Sequence, residues 1–383
     1  MANKRLKIGL VLDTSLDPPD GVQQYVISVG EWLRSQGHDV HYLVGETKSH
    51  DLPNIHSLSR NISVRFNGNR TTIPLWADRR KLKKLLAEEK FDILHVQTPH
   101  HPLMAQPLVI MADQRRTAIV GTFHIAAYSW MVTAGNYLLG FWLRPSLRRF
   151  YRVVAVSSAA ADFARRTFKI DTPVLPNTFD YGRFHKAKAF PRYKNKKVTI
   201  LFLNRLVPRK GCQALLEAAA KLAEIADLPE FEVVICGKGP EAAQLQSYID
   251  SHGLENIVEM VGFVSEEDKP RYYASADISV FPSSGGESFG IVLLEAMASG
   301  HSAVLAGDNP GYASVMEPRP ELLFSPRDSQ ALANLLEKYI REPGLRSQAA
   351  TWGKQYTKDF DTAVVGKKLE QLYREALQNS LKK

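Results

Sequence analysis

Residues 284–300 read SGGESFGIVLLEAMASG. The run that leads into them, ADISVFPSS (276–284), is apolar and β-branched and reads as a buried strand. Beyond the glycines, Ile291, Leu294, Met297 and Ala298 recur at helical spacing. The order is therefore strand, glycine-rich loop, helix. It predicts the amides of Ser288, Phe289 and Gly290 at a helix N-terminus, where backbone N–H groups and the helix dipole favour an anion such as a phosphate. Two carboxylates flank that place, Glu287 in the loop and Glu295 in the following segment. Ionised carboxylates only accept hydrogen bonds, so they suit paired hydroxyls. Hydroxyls at both ends and phosphate in the middle describe a nucleotide-sugar.

The same rhythm extends through the chain. LKIGLVLD reads as a buried parallel strand, a polar loop TSLDPPDG follows, and VQQYVISVGEWLRSQGHDV has helical spacing that ends near Gly37 before the strand HDVHYLVG. FDILHVQ, TAIVGTFH and RFYRVVAVSS are further strands, the last running into the helix AAADFARRTF. The pattern restarts near Lys197 with VTILFLNRL, GCQALLEAAAKLAEIA, FEVVICGKG and EAAQLQSYIDSH. Strands alternating with helices predict α/β domains with doubly wound parallel sheets. The polar, basic stretch 180–197 marks the passage from a first domain, 1–180, to a second, 181–361. A long amphipathic helix from about Asp361 to Leu381 ends the chain.

Length and charge narrow the function. At 383 residues the chain holds two domains with full cores. Cys212 and Cys236 are its only cysteines, which excludes a disulfide framework and suits a reducing compartment. The opening MANKRLKIGLVLD lacks the apolar run of a signal peptide, and no run reaches a membrane span. The net charge of +9 sits in the first half: residues 1–180 carry 23 Lys and Arg against 15 Asp and Glu, the rest 26 against 25. Nucleic acid, an anionic membrane and a phosphorylated acceptor all fit that surplus, as does plain solubility. Five of the cations, Arg79, Arg80, Lys81, Lys83 and Lys84, lie in ADRRKLKKLLAEEKF, mainly opposite Leu82, Leu85 and Leu86. That face reads as an anionic-lipid dock or as an ordinary solvated helix face. YLLGFWLRPSLRRFYR is a second basic and aromatic stretch that extends it. No nucleic-acid recognition motif accompanies the charge.

Single residues add chemistry. Arg205 and Lys210 follow a strand end in NRLVPRKG, where two cations would stabilise a departing diphosphate in place of a metal. No convincing DxD metal motif is present, and DFD at 359–361 reads as a cap or turn. Gly237, in CGKGP, ends a strand and lines the nucleotide crevice. Gly21 permits close approach to phosphate. Gln23 reads as a donor to an acceptor hydroxyl or as an ordinary loop residue, and Asp17 is grouped with it on the acceptor side. His124 ends the strand TAIVGTFH, where α/β proteins bind ligands. The missing G-x-G-x-x-G weighs against a dinucleotide dehydrogenase.

Taken together, GVQQYV, GTFH, the R-x-x-x-x-K of Arg205 and Lys210, and GGESFGIVLLEAMASG resemble the retaining family 4 glycosyltransferases of GT-B fold. The RKLKK helix brings the likeness to bacterial phosphatidylinositol mannosyltransferases, which use GDP-mannose. The resemblance implies two Rossmann-like domains facing a cleft, with residues 362–383 returning to the first. It implies an acceptor and membrane role for the first domain and donor binding for the second. It assigns Glu287 to the sugar hydroxyls, Glu295 to the ribose, Glu266 to guanine and His124 to the donor sugar; Glu295 reads otherwise as a solvated helix residue, and Glu266, in GFVSEEDK, as an ordinary helix start. It implies no cofactor beyond the nucleotide-sugar, an anionic membrane lipid as acceptor, and a cytoplasmic site on the inner face of the membrane. One departure stands out: after GTFH the chain reads IAAYSW, without the lysine that helps those enzymes hold the inositol phosphate. The alternatives are a UDP-sugar transferase acting on another lipid or glycan, a GT-B sugar-nucleotide epimerase, and a non-catalytic binding protein.

Overall fold

The computed structural model describes residues 4–18, 20–48, 51–66, 69–74, 77–125, 130–194 and 196–380. The chain divides into two units, Met1–Thr178 with Thr362–Lys383, and Phe179–Asp361. In the first unit, β1 (Lys7–Leu12), β2 (Asp39–Gly45), β3 (Ile55–Ser59), β6 (Ile93–Val96), β7 (Ala118–Phe123) and β8 (Arg152–Ala155) form a sheet in the order β3-β2-β1-β6-β7-β8. Between β3 and β6 the antiparallel pair β4 (Asn61–Phe66) and β5 (Asn69–Pro74) stands as its own ribbon. The second unit repeats the plan with β9 (Val198–Leu203), β10 (Phe231–Cys236), β11 (Val258–Gly262), β12 (Ile278–Phe281), β13 (Ala303–Gly307) and β14 (Leu323–Phe324), in the order β11-β10-β9-β12-β13-β14.

Every pairing within the two six-stranded sheets is parallel. A parallel sheet is covered on both faces, which is why KIGLVL and VTILFL are apolar runs rather than alternating ones. In both sheets the chain winds outward from the first strand one way and then returns to wind the other way. The reversal falls between β1 and β6 and between β9 and β12. Ligands of such sheets bind beyond the carboxyl ends of the strands at that reversal.

The last helix, Thr362–Ser380, belongs to the first unit. Val365, Leu369, Leu372, Tyr373 and Ala376 lie on its buried face, at helical spacing. Leu369, Leu372, Tyr373 and Ala376 pack with Tyr25, Val29 and Leu33 of the helix Gly21–Ser35 and with β1. At about 1.5–3 kcal/mol for each large side chain removed from water, this face is worth about 5–10 kcal/mol before ordering costs. Gly366 sits where the two helices meet: a Cβ there would stand 2.5 Å from Trp32 Cε3, so a side chain would push them apart. The Tyr373 hydroxyl is 2.7 Å from His95 Nδ1 on β6, and His95 Nε2 is 2.7 Å from the Thr122 hydroxyl on β7. Asp361, of the DFD stretch, accepts from the Tyr181 amide at 3.1 Å and so secures the turn into this helix.

Candidate functional site

At the reversal point of the second sheet two loops meet, one after β9 and one after β12. Gly211 closes the first with φ +73°, and a Cβ there would lie 2.2 Å from the Pro282 carbonyl. Only glycine allows both the left-handed backbone and that approach. The contact brings the β9 loop to the carboxylate of the β12 loop. Lys210 Nζ and Arg209 Nη1 each lie 2.7 Å from Glu287 Oε1, and the Ser283 hydroxyl donates to the same oxygen at 2.9 Å. Lys210 and Glu287 are nearly withdrawn from solvent, while Arg209 is more open. Burial alone would raise the Glu287 carboxyl, but Lys210 and Arg209 outweigh it and hold it below the usual carboxylate range. Burial lowers the Lys210 ammonium, against the pull of Glu287.

Arg205 is exposed, its amide bonded to Asn204 Oδ1 at 3.0 Å. Arg209 and Ser283 were not singled out by the spacing argument. Their signal is adjacency, one beside Lys210 and the other between β12 and the glycines. The helix Ile291–Ser299 starts at the first residue of the apolar spacing, with Gly290 as its N-cap at φ +119°. That backbone is not helical, so Ser288 and Phe289 lie in the approach rather than in the first turn. Phe289 is buried, its ring 6.0 Å from that of Phe360. No side chain caps this helix start, which leaves first-turn N–H groups for a ligand or solvent. Gly237 answers a packing demand of its own, since a Cβ would stand 1.9 Å from the Asn204 carbonyl.

Glu295 is buried, which overturns the reading of a solvated helix residue. Lys269 Nζ lies 2.9 Å from Glu295 Oε1 and 2.9 Å from Glu266 Oε2. Arg183 reaches the Glu266 carboxylate at 3.2 Å and also its carbonyl. The two acidic residues assigned to base and ribose are therefore tied through one lysine that the spacing argument did not single out. Burial pushes the Glu295 carboxyl up, against the pull of Lys269. For Glu266 burial is outweighed by Lys269 and Arg183, and the carboxyl lies below its ordinary value. The Glu266 stretch is also a helix start, since the Ser265 hydroxyl accepts from the Asp268 amide at 3.0 Å just before Lys269–Ser275. Beside it a depression of about 570 Å³ is lined by Asp180, Arg183, Lys186, Glu267 and Arg271.

In the first unit the reversal point carries polar groups at the ends of β1, β6 and β7. Asp13 is buried and accepts from His101 Nδ1 at 2.8 Å and from the Ala105 amide at 3.0 Å, so it anchors a helix start. His124 is buried after β7, with Nε2 2.9 Å from Gln97 Oε1. Burial drives its pKa down to about 3, opposed by Asn177, so the ring is neutral near pH 7. Gln23 turns back into its own loop and donates to Thr14 Oγ1 at 3.3 Å and to the Ser15 carbonyl at 3.2 Å. That is the ordinary-loop alternative for its amide nitrogen. Asp17 accepts from the Lys48 amide at 3.1 Å through both oxygens. Gly21 is the first residue of its helix. Most of the IAAYSW stretch lies outside the described residues.

The basic segment is a helix, Arg79–Glu89, capped by Asp78, which accepts from the Arg80 amide at 2.8 Å. Leu82 and Leu85 are buried while Arg79, Arg80, Lys81, Lys83 and Lys84 are exposed. It packs on the helix Ala105–Met111, which in turn packs on Trp130–Leu147. There Phe141 is 66% and Trp142 80% exposed, and Ile110 on the middle helix is also open to solvent. Among the described residues, no helix is long and apolar enough to cross a membrane.

Among the described residues His41, His56 and Glu89 gather nitrogen and oxygen atoms as metal ligands would. His41 Nδ1 faces His56 Nε2 at 2.9 Å with the rings 7° from parallel, and Glu89 is 2.6 Å from Lys7 Nζ. These contacts already satisfy the groups as hydrogen bonds and an ion pair.

Residues 19–183 match the family "Glycosyltransferase Family 4", and residues 184–356 match the family "Glycosyl transferases group 1". The phosphatidyl-myo-inositol mannosyltransferase of Mycolicibacterium smegmatis is 31% identical over 372 residues, 96% of this chain and 93% of that one. Its counterpart in Propionibacterium freudenreichii is 30% identical over 388 residues, 98% and 96% of the two chains. Among solved structures, a glycosyltransferase of Rickettsia africae matches with a TM-score of 0.79 at 18% identity, over 98% of this chain and 99% of that one. HepE of Anabaena, solved with UDP and glucose, matches at 0.73 and 20% identity, over 97% and 100%.

Proposed function

This chain belongs to glycosyltransferase family 4 and has the GT-B fold, and from that membership we propose that it transfers mannose from GDP-mannose to a hydroxyl of phosphatidylinositol or a related anionic lipid. The observation that carries the reading is the cluster of Lys210, Arg209 and Ser283 on Glu287 at the reversal point of the second sheet. A donor diphosphate would compete for the two cations. Glu287 would then be released to accept from the sugar hydroxyls. Charge builds on the departing diphosphate in the transition state, and preorganised cations stabilise it there. In this reading Lys210, Arg209 and Arg205 supply the positive charge, and no cofactor is needed beyond the nucleotide-sugar. The configuration is retained by displacement on one face of the sugar, with the leaving phosphate helping to take the proton of the acceptor hydroxyl. His124 contacts the sugar, Glu295 the ribose and Glu266 the guanine.

The acceptor side rests on the helix Arg79–Glu89. Its exposed cations oppose a buried leucine face, and each is worth about 1 kcal/mol near an anionic surface. Trp142 and Phe141 supply apolar surface on a neighbouring helix layer. The enzyme works as a peripheral protein on the inner face of the membrane, without nucleic acid as a partner.

A UDP-sugar donor is the second reading. The observation in its favour is that Glu266 is already engaged by Arg183 and Lys269, which competes with guanine for the carboxylate. Incubation with GDP- and UDP-sugars, with and without phosphatidylinositol vesicles, separates the readings by nucleoside diphosphate release and lipid mass. GDP release that rises with the lipid, with a lipid gaining one hexose, supports the first. Turnover only with a UDP-sugar replaces it by the second, and an altered nucleotide-sugar without transfer would make the chain an epimerase.

A further inference from the structure

Gln97 follows β6 directly and is fully buried, with its backbone amide bonded to the Val11 carbonyl at 3.0 Å. Its side chain has one acceptor end and one donor end. The amide nitrogen donates to the His95 carbonyl at 3.4 Å, which leaves Oε1 to face His124 Nε2 at 2.9 Å. An amide oxygen only accepts, so His124 is the donor and its proton sits on Nε2. A neutral imidazole has a single N–H, and Nδ1 then holds a lone pair. Among the described residues Nδ1 has no hydrogen-bond partner, and neither has Oδ1 of Asn177, the buried carboxamide that acts on the same ring. Buried acceptors without a donor are costly. Two of them by one ring call for a group that brings hydrogens, and a hydroxyl does so. Tyr25 packs its ring edge against His124 at 5.1 Å between centroids, which fixes the ring plane.

We propose that Gln97 is a positioning residue that fixes His124 as the Nε2–H tautomer, so that Nδ1 is the acceptor offered to a hydroxyl of the bound sugar. This rests on the reading above in which His124 contacts the sugar. The alternative tautomer would present an N–H to the ligand and leave Gln97 Oε1 facing a lone pair. Burial keeps the ring from escaping the choice by taking a second proton, since its pKa is held near 3.

The test is nitrogen-15 spectroscopy of protein labelled in histidine, with the His124 ring identified by its loss in His124→Asn. A protonated Nε2 and an unprotonated Nδ1 are expected through the neutral range. Gln97→Glu keeps an acceptor at Nε2 and adds charge, so the tautomer persists while the His124 pKa rises and the acid limb of the kcat profile moves to higher pH. Gln97→Leu removes the acceptor, so both tautomers appear and kcat falls roughly tenfold or more, more than KM for the nucleotide-sugar changes. Near-UV circular dichroism establishes that both variants are folded. An Nδ1–H tautomer or an imidazolium in the native protein at neutral pH would overturn the proposal. So would a Gln97→Leu protein that keeps the pure Nε2–H form. A His124→Asn enzyme with native activity would remove the sugar contact, and with it the purpose assigned to Gln97, even where the spectra show the expected tautomer.

Discussion

Replacing Lys210 by Met probes the Glu287 cluster most directly. Glu287 Oε1 receives Lys210 at 2.7 Å, Arg209 at 2.7 Å and Ser283 at 2.9 Å. Stranding a buried charge costs about 3–5 kcal/mol, but here Arg209 and Ser283 still serve the carboxylate, so Lys210→Met should cost about 2 kcal/mol of stability. Glu287→Gln leaves two cations around a neutral amide and should cost about 3 kcal/mol. In the double variant the lost contact is counted once, so the two costs should fall short of additivity by about 2 kcal/mol. Urea unfolding of the four proteins measures that coupling, followed through the transition of the second unit. The activity loss is a separate quantity. Removing one preorganised charge from the departing diphosphate should lower kcat for nucleoside diphosphate release by about 10²–10³. A coupling below about 0.5 kcal/mol would refute the ion pair as a structural element. A Lys210→Met enzyme with native kcat would refute the role of this lysine in charge stabilisation.

Three further outcomes are expected. His95, His100 and His124 are buried and held near pKa 3, below an unfolded value of about 6.5. The folded first unit therefore binds fewer protons, so its stability is intact above about pH 6.5 and falls as the pH drops towards 3, by about 1.4 kcal/mol per histidine per pH unit. Urea midpoints at successive pH values check this, and a midpoint flat from pH 7 to 5 would contradict it. Gly211→Ala must place a Cβ 2.2 Å from the Pro282 carbonyl in a left-handed conformation. It should cost about 3 kcal/mol and separate Lys210 from Glu287, and thermal melting with donor turnover reports both effects. Lys83→Gln with Lys84→Gln removes two exposed charges from the helix Arg79–Glu89. Binding to anionic vesicles should weaken about 30-fold at low salt, with no change in melting temperature, because Leu82 and Leu85 still anchor the helix.

The sequence by itself determined the repeating strand–helix plan, because parallel strands buried on both faces leave unbroken apolar runs such as KIGLVL and VTILFL. It also determined the glycine-rich turn between strand and helix, since Gly290 and Gly211 stand where the backbone leaves the region open to other residues. It did not mark β3, β4, β5, β11, β13 or β14; in β3, β4 and β5 the runs IHSLS, NISVRF and NRTTIP mix polar with apolar residues, and no unbroken apolar run announces a strand. The site divides the same way. Glu287 and Lys210 were legible from their motifs, but their union in one ion cluster depends on two loops 77 residues apart in the chain. Lys269 was not singled out in the sequence, and only the fold places it between Glu266 and Glu295. Gln97 had no signal at all, because its meaning is the nitrogen it faces just beyond the next strand. Local sequence sets backbone conformation and burial through period and composition. Which donor meets which acceptor is set by strand order and register, and those belong to the folded chain as a whole.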